Sequence, residues 1–194
     1  MPDRRRILLR GGVELGNPLD VALEFLAAYS GYDEYETSGP FTFDEADLRL
    51  ANRGGARISA AQIGAILERR RQIERALRKI EPTASLAAAT SAIPWLLLTQ
   101  RGVGFSKMTK ALHKKRPALI PLLDSVVEAY LTSDGLETSG SFGERATALV
   151  RDYKRDLDRN KSALRELQRE LARRGYRLTE VRILDLLIWS VSAP

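Results

Sequence analysis

The residues best able to do chemistry begin with the turn Gly102-Val103-Gly104, followed by a helical segment carrying Lys107, Lys110 and Lys114. Glycines let a backbone approach a phosphate closely, and the free N–H groups opening the next helix point at it. The lysines would add charge one turn on, as a stripe that tracks a phosphate backbone without reading its sequence and weakens with salt. A solvated lysine face on an ordinary helix connection is the alternative. Asp124, before Ser125-Val126-Val127, is a carboxylate placed either to act as a base or to cap a helix. A base acting on a nucleotide needs a pocket with aromatic or apolar walls. Trp95, Tyr130, Tyr153 and Trp189 are the candidates for those walls, and each also reads as core.

Other chemistry is excluded by composition. The 194 residues contain no cysteine and a single histidine, His113, so disulfide scaffolds, cysteine-ligated zinc, iron–sulfur clusters and histidine-rich metal sites have no ligands. No metal and no cofactor are expected. His113 reads as a surface histidine, and Arg182 and Asp185 read as an intrahelical pair. Arg69-Arg70-Arg71, with Glu68 and Glu74 nearby, reads as a solvated face. The run Ile93 to Leu98 is too short to span a bilayer, and the charged N-terminus lacks a signal core, so a cytoplasmic protein without a membrane partner is expected.

The net charge of +6 is clustered rather than scattered. Between Glu81 and Asp124 there is no acid, and Arg101, Lys107, Lys110, Lys114, Lys115 and Arg116 together equal the whole surplus. Residues 124–144 then hold five acids and no base, and residues 145–182 hold twelve bases and six acids. Clustered charge of this kind points to a binding surface.

Helical signals account for most of the chain that must position these groups. Residues 1–16 read as a β-hairpin around Gly11-Gly12. Asn17 and Pro18 open a helix to about Tyr29, and Asp44 caps a short one through Leu50. Ser59 with Gln62 forms a capping box for a helix whose apolar face runs to Ile80, before Pro82. A buried helix over 93–98, a basic helix over 105–116 and another after Asp124 follow. Over 144–174 a seven-residue apolar period links Val150, Leu157, Leu164 and Leu171, and Ala146, Tyr153 and Leu167. This is one long helix or two divided near Asn160. Thr179 caps a final apolar helix over 181–191. The fold class predicted is mainly α, a compact multi-helix single domain over 1–194 with a small N-terminal hairpin.

The segment Leu97-Leu98-Thr99-Gln100-Arg101-Gly102-Val103-Gly104-Phe105-Ser106-Lys107-Met108 resembles the helix-hairpin-helix element of the helix-hairpin-helix DNA glycosylase superfamily, and 91–132 is the candidate element. That family places a catalytic Asp about twenty residues after the second glycine, where this chain has Asp124. Arg101 stands where the family motif usually has proline, and Met108 where a small residue is usual. Ser106 stands where bifunctional members carry their lyase lysine, so the resemblance implies a monofunctional enzyme in which Asp124 assists attack of water on the sugar. A second resemblance, on Lys115-Arg116-Pro117, Asp124 and the closing Arg182-Ile183-Leu184-Asp185-Leu186-Leu187-Ile188-Trp189, is to an uncharacterised actinobacterial family. The expectation is a helical protein that binds nucleic acid, DNA foremost, with base excision as an extension. The alternative is a non-enzymatic interaction protein that forms a homodimer through 146–171.

Overall fold

The computed structural model describes residues 6–88, 103–133, 135 and 141–192. Within them the chain is mainly α-helical with a small antiparallel N-terminal sheet, as the sequence predicts. Strands β1 (Ile7–Leu8) and β2 (Glu14–Leu15) pair with Ile7 opposite Leu15. The glycines of the hairpin turn take left-handed backbone, φ 67° at Gly11 and 75° at Gly12, which only glycine adopts without strain.

The helices are α1 (Pro18–Tyr29), α2 (Glu45–Arg53), α3 (Ala60–Leu67), α4 (Arg70–Arg78), α5 (Phe105–His113), α6 (Ser125–Thr132), α7 (Phe142–Arg159), α8 (Lys161–Arg173) and α9 (Glu180–Ser192). Reciprocal capping boxes open α2 at Asp44 with Asp47, α3 at Ser59 with Gln62, and α7 at Ser141 with Glu144. Each satisfies two amides that a helix start leaves open. Thr179 Oγ1 accepts from the Arg182 amide and donates to the Pro117 carbonyl, tying the start of α9 to the turn after α5. Among the described residues no helix is long and apolar enough to cross a membrane.

Helix α9 is the centre of the packing, in contact with α1, α6, α7 and α8. Its residues from Val181 to Ile188 are all buried, so it is enclosed on every side, as its apolar density requires. Burial of each large aliphatic side chain here contributes about 1.5–3 kcal/mol.

Two sequence expectations are corrected and one that the sequence left open is decided. The helix opened by Ser59 is two, because at Glu68 and Arg69 the hydrogen bonds tighten, Arg69 N–H donating to Ile66 O and Gln72 N–H to Arg69 O. Ile66, Ile73 and Leu77 nonetheless all reach the core. The segment 144–174 is also two helices, α7 and α8, meeting at Asn160. The Asn160 side chain makes no cap bond at the start of α8; its Nδ2 donates to Asp156 O in the last turn of α7 and to Leu8 O, at 2.9 Å each, and its Oδ1 accepts from Leu8 N–H at 2.8 Å, so it pairs with β1 as a strand would. The apolar period is spent inside the molecule, since Val150, Tyr153, Leu157, Leu164, Leu167 and Leu171 are buried in the chain's own core. Finally, His113 is 1% exposed, not on the surface. The expected helix over 93–98 lies outside the described residues.

Candidate functional site

The charged groups that the sequence singles out fold largely inward. Lys107 Nζ donates to Gln62 Oε1 at 2.7 Å, and Lys114 Nζ donates to Asp33 O at 3.1 Å and lies over the Tyr32 ring. Lys115 is 2% exposed and pairs with Asp47 at 2.7 Å, with further bonds to Thr37, Ser38 and Gly39. Arg116 is fully buried and donates to the carbonyls of Leu77 and Ile80 at the end of α4 and to that of Pro40. Burial lowers the pKa of Arg116; its forked donors suit carbonyl oxygens that a helix end leaves open. The signature Lys115-Arg116-Pro117 is therefore a structural anchor joining α4, α5 and the 37–40 loop. Arg101 and Gly102 lie outside the described residues.

Lys110 is the member of the stripe that reaches a cavity. A cleft of about 750 Å³ opens between the C-terminal ends of α1 and α2, the N-terminus of α6, and α5 and α9, a volume ordinary for small-molecule sites. On one wall Asp124 caps α6, its Oδ1 accepting from Val126 and Val127 amides at 3.1 Å each, while Oδ2 lies 3.3 Å from Lys110 Nζ. Asp124 is thus the helix cap that one of its sequence readings describes, and it also lines the cleft. Val103 is buried, and Gly104 takes φ 83° at the N-cap of α5 with no side-chain cap and open space where a Cβ would stand.

The opposite wall is aromatic. Phe25, Tyr29 and Trp189 pack with ring centroids 5.1–5.7 Å apart, Trp189 edge-on to both partners. Tyr29 remains 54% exposed, so the trio presents a buttressed ring surface at the mouth of the cleft. Of the aromatic candidates from the sequence that fall within the described residues, only Trp189 lines the cleft. Tyr153 is buried with its hydroxyl donating to Val181 O at 2.7 Å. Tyr130 belongs to the clamp that holds the N-terminal hairpin: it accepts from Arg10 N–H and donates to Asp156, while Arg10 pairs with Asp152 and Asp156. Trp95 is outside the described residues.

The floor is a buried charged network. Arg182 forms a bidentate pair with Asp33, at 2.9 and 2.7 Å, in place of the expected pair with Asp185. Burial opposes the Arg182 charge, but the hydrogen bonds and charge of Asp33 more than offset it and raise its pKa. Burial pushes the Asp185 carboxyl well above the usual carboxylate range, although it accepts from the Leu122 amide. Tyr32 seals the network, donating to Lys110 O at 2.7 Å.

The rim carries what sequence reading missed, Arg53-Gly54-Gly55-Ala56-Arg57, which runs from the last residue of α2 into the turn that follows it. A Cβ on Gly54 would meet Tyr32 Cδ2 at 2.7 Å, and Gly55 has φ 78°, so each glycine is required, for a different reason. Arg53 lies 4.0 Å over the Tyr35 ring. Arg57 has φ 53°, the only non-glycine residue with positive φ among the described residues. Both arginines are exposed, and neither has a carboxylate partner among the described residues. A glycine pair flanked by arginines was the available signal. No group of three or more His, Asp or Glu placed to hold a metal ion occurs among the described residues.

A family model matches residues 24–192, that of a family of unknown function, DUF6308. The chain belongs to that family, whose match covers every helix from the middle of α1 to α9 and leaves out the hairpin. No curated protein and no solved structure matches.

Proposed function

We propose that this member of a family of unknown function binds nucleic acid, taking one unstacked nucleotide into the cleft. The observation that carries the reading is the joining, in one cleft, of an exposed aromatic wall to two arginines without carboxylate partners among the described residues. A base stacked on Tyr29 and Trp189 would gain about 1–3 kcal/mol, whatever its identity. The uncapped start of α5 at Gly104 supports a phosphate contact of the helix-hairpin-helix kind, and α5 runs from that turn to Ser106 and Lys110 in the cleft. Lys107 and Lys114, engaged within the fold, contribute attraction over the ~8 Å Debye length rather than a contact stripe. Such a ligand is met in the cytoplasm.

Base excision is the extension of this reading, favoured by the presence of Asp124 in the cleft. Its carboxylate would orient a water against the anomeric carbon as the bond to the base breaks, with Lys110 as its positioning partner. Asp124→Asn keeps a good helix cap, so loss of abasic-site formation on a panel of damaged-base duplexes, at unchanged stability, is the expected result. No product from any substrate leaves binding alone.

Binding is tested by fluorescence anisotropy with single-stranded and duplex oligonucleotides. Affinity is expected at low salt, falling roughly twentyfold (single strand) to fortyfold (duplex) between 50 and 200 mM if about three phosphates are contacted. The pair Arg53→Glu and Arg57→Glu should abolish it. Absence of binding at low salt, or indifference to those substitutions, overturns the proposal.

A further inference from the structure

We infer that Arg53, Arg57 and Lys110, set around the Gly54-Gly55 turn, form a subsite for a phosphomonoester, so that the cleft takes a nucleoside monophosphate, either free or as the phosphorylated end of a strand. The inference rests on the reading that the cleft holds a nucleotide, and it adds which phosphate chemistry is chosen.

Three observations support it. The first is charge. Arg182 is neutralised by Asp33 on the floor, and of the remaining cations Lys110 pairs, among the described residues, with Asp124. At the rim, with the Asp185 carboxyl set apart on the floor and held by the Leu122 amide, Arg53, Arg57 and Lys110 against Asp124 leave two positive charges, matching the near-dianionic monoester at neutral pH and exceeding the single charge of an internal phosphodiester. The second is access. The Lys110 ammonium lies 4.0 Å from where a Gly55 Cβ would stand, and its pair with Asp124 engages one of three donors. The turn between Arg53 and Arg57 carries no side chain at Gly54 or Gly55, so an anion can reach the ammonium past bare backbone. The third is Arg57 itself. Its left-handed backbone would suit glycine or asparagine better, yet an exposed arginine occupies it at the edge of the cleft, the kind of local strain that persists where a side chain is used. The ring of Tyr35 under Arg53 fixes the second guanidinium.

The test compares one single-stranded oligonucleotide in 5′-phosphorylated, 3′-phosphorylated and unphosphorylated forms, together with a free nucleoside 5′-monophosphate, its nucleoside and inorganic phosphate. One terminal phosphate is expected to raise strand affinity at least tenfold, and Arg57→Ala should reduce the phosphorylated strand to the level of the unphosphorylated one without lowering Tm. Equal affinity of all three strands overturns the monoester subsite while leaving strand binding in place. Tight binding of the free monophosphate with no strand bound upholds the subsite and overturns the nucleic-acid reading. Binding of none of these probes overturns both.

Discussion

Arg57 sets function against stability at a single position. Holding a residue with a Cβ in the left-handed region costs about 1–2 kcal/mol, part of which glycine would return after its own larger loss of chain entropy. Arg57→Gly is therefore expected to raise the urea midpoint, by up to about 1 kcal/mol of stability, while weakening oligonucleotide binding. A fall in both would mean that the side chain supports the fold. His113 gives a second residue-scale expectation. Burial lowers its pKa to about 4 despite the bond from its ring to Ile120 O at 2.6 Å, in surroundings that include Tyr32, Asp33, Lys114 and Arg182. The folded chain thus resists protonation that the unfolded chain accepts near 6.5. The sign follows: the His113 contribution is full above about pH 6.5 and is lost as pH falls towards 4, by ~3 kcal/mol. Asp185, shifted upward by burial, acts with opposite slope, so the difference between wild type and His113→Asn isolates the effect. The variant should show a shallower acid limb, and identical limbs would contradict the assignment. Asp124 was legible as a residue because its spacing and its cap position both mark it. Arg53 and Arg57 were not read, since the only local mark on them, the Gly54-Gly55 pair between them, does not by itself separate a binding turn from an ordinary one.

At the scale of elements, local chemistry carried most of the reading. Asp44, Ser59 and Asp124 were legible as caps, because a short polar side chain before an apolar run has few other uses. The break after Leu67 was not, because the apolar face continues through it, and the one near Asn160 was left open, because one of the two apolar series runs on past it and only tertiary geometry decides whether the backbone turns. Asn160 shows how that happens: it interrupts one apolar series in sequence, and in space its amide pairs with both backbone groups of Leu8. Asn160→Ala strands a backbone donor and an acceptor of β1, which should cost about 1–3 kcal/mol in chemical denaturation. An unchanged midpoint would show that the hairpin is held by the Arg10 clamp and by Ile7 and Leu9 alone. Likewise Lys115 and Arg116 read as surface charge in a basic run, whereas their partners, a buried carboxylate and the carbonyls closing α4, lie tens of residues away in sequence.

For the whole molecule, the located charge surplus and the cleft turn out to be different things. The five bases of the acid-free stretch that fall within the described residues all have intramolecular partners, and the arginines left open to a ligand come from the end of α2 and the turn that follows it, outside that stretch. The cleft exists only because α1, α2, α5, α6 and α9 close on one another, a long-range event that no window of sequence contains. The mainly helical class, the hairpin and the buried last helix were legible, since composition and periodicity determine them; of the aromatic wall Trp189 was named as a candidate, while Phe25 and Tyr29 were not. That wall also supplies the most direct measurement. The chain has two tryptophans, and Trp95→Phe leaves Trp189 as the sole indole reporter of the cleft. Titration of that variant with single-stranded oligonucleotide at low salt is expected to quench its fluorescence saturably, and to lose the quench when Arg53→Glu and Arg57→Glu are added. Unaltered Trp189 emission at every oligonucleotide concentration would contradict a nucleotide-binding cleft.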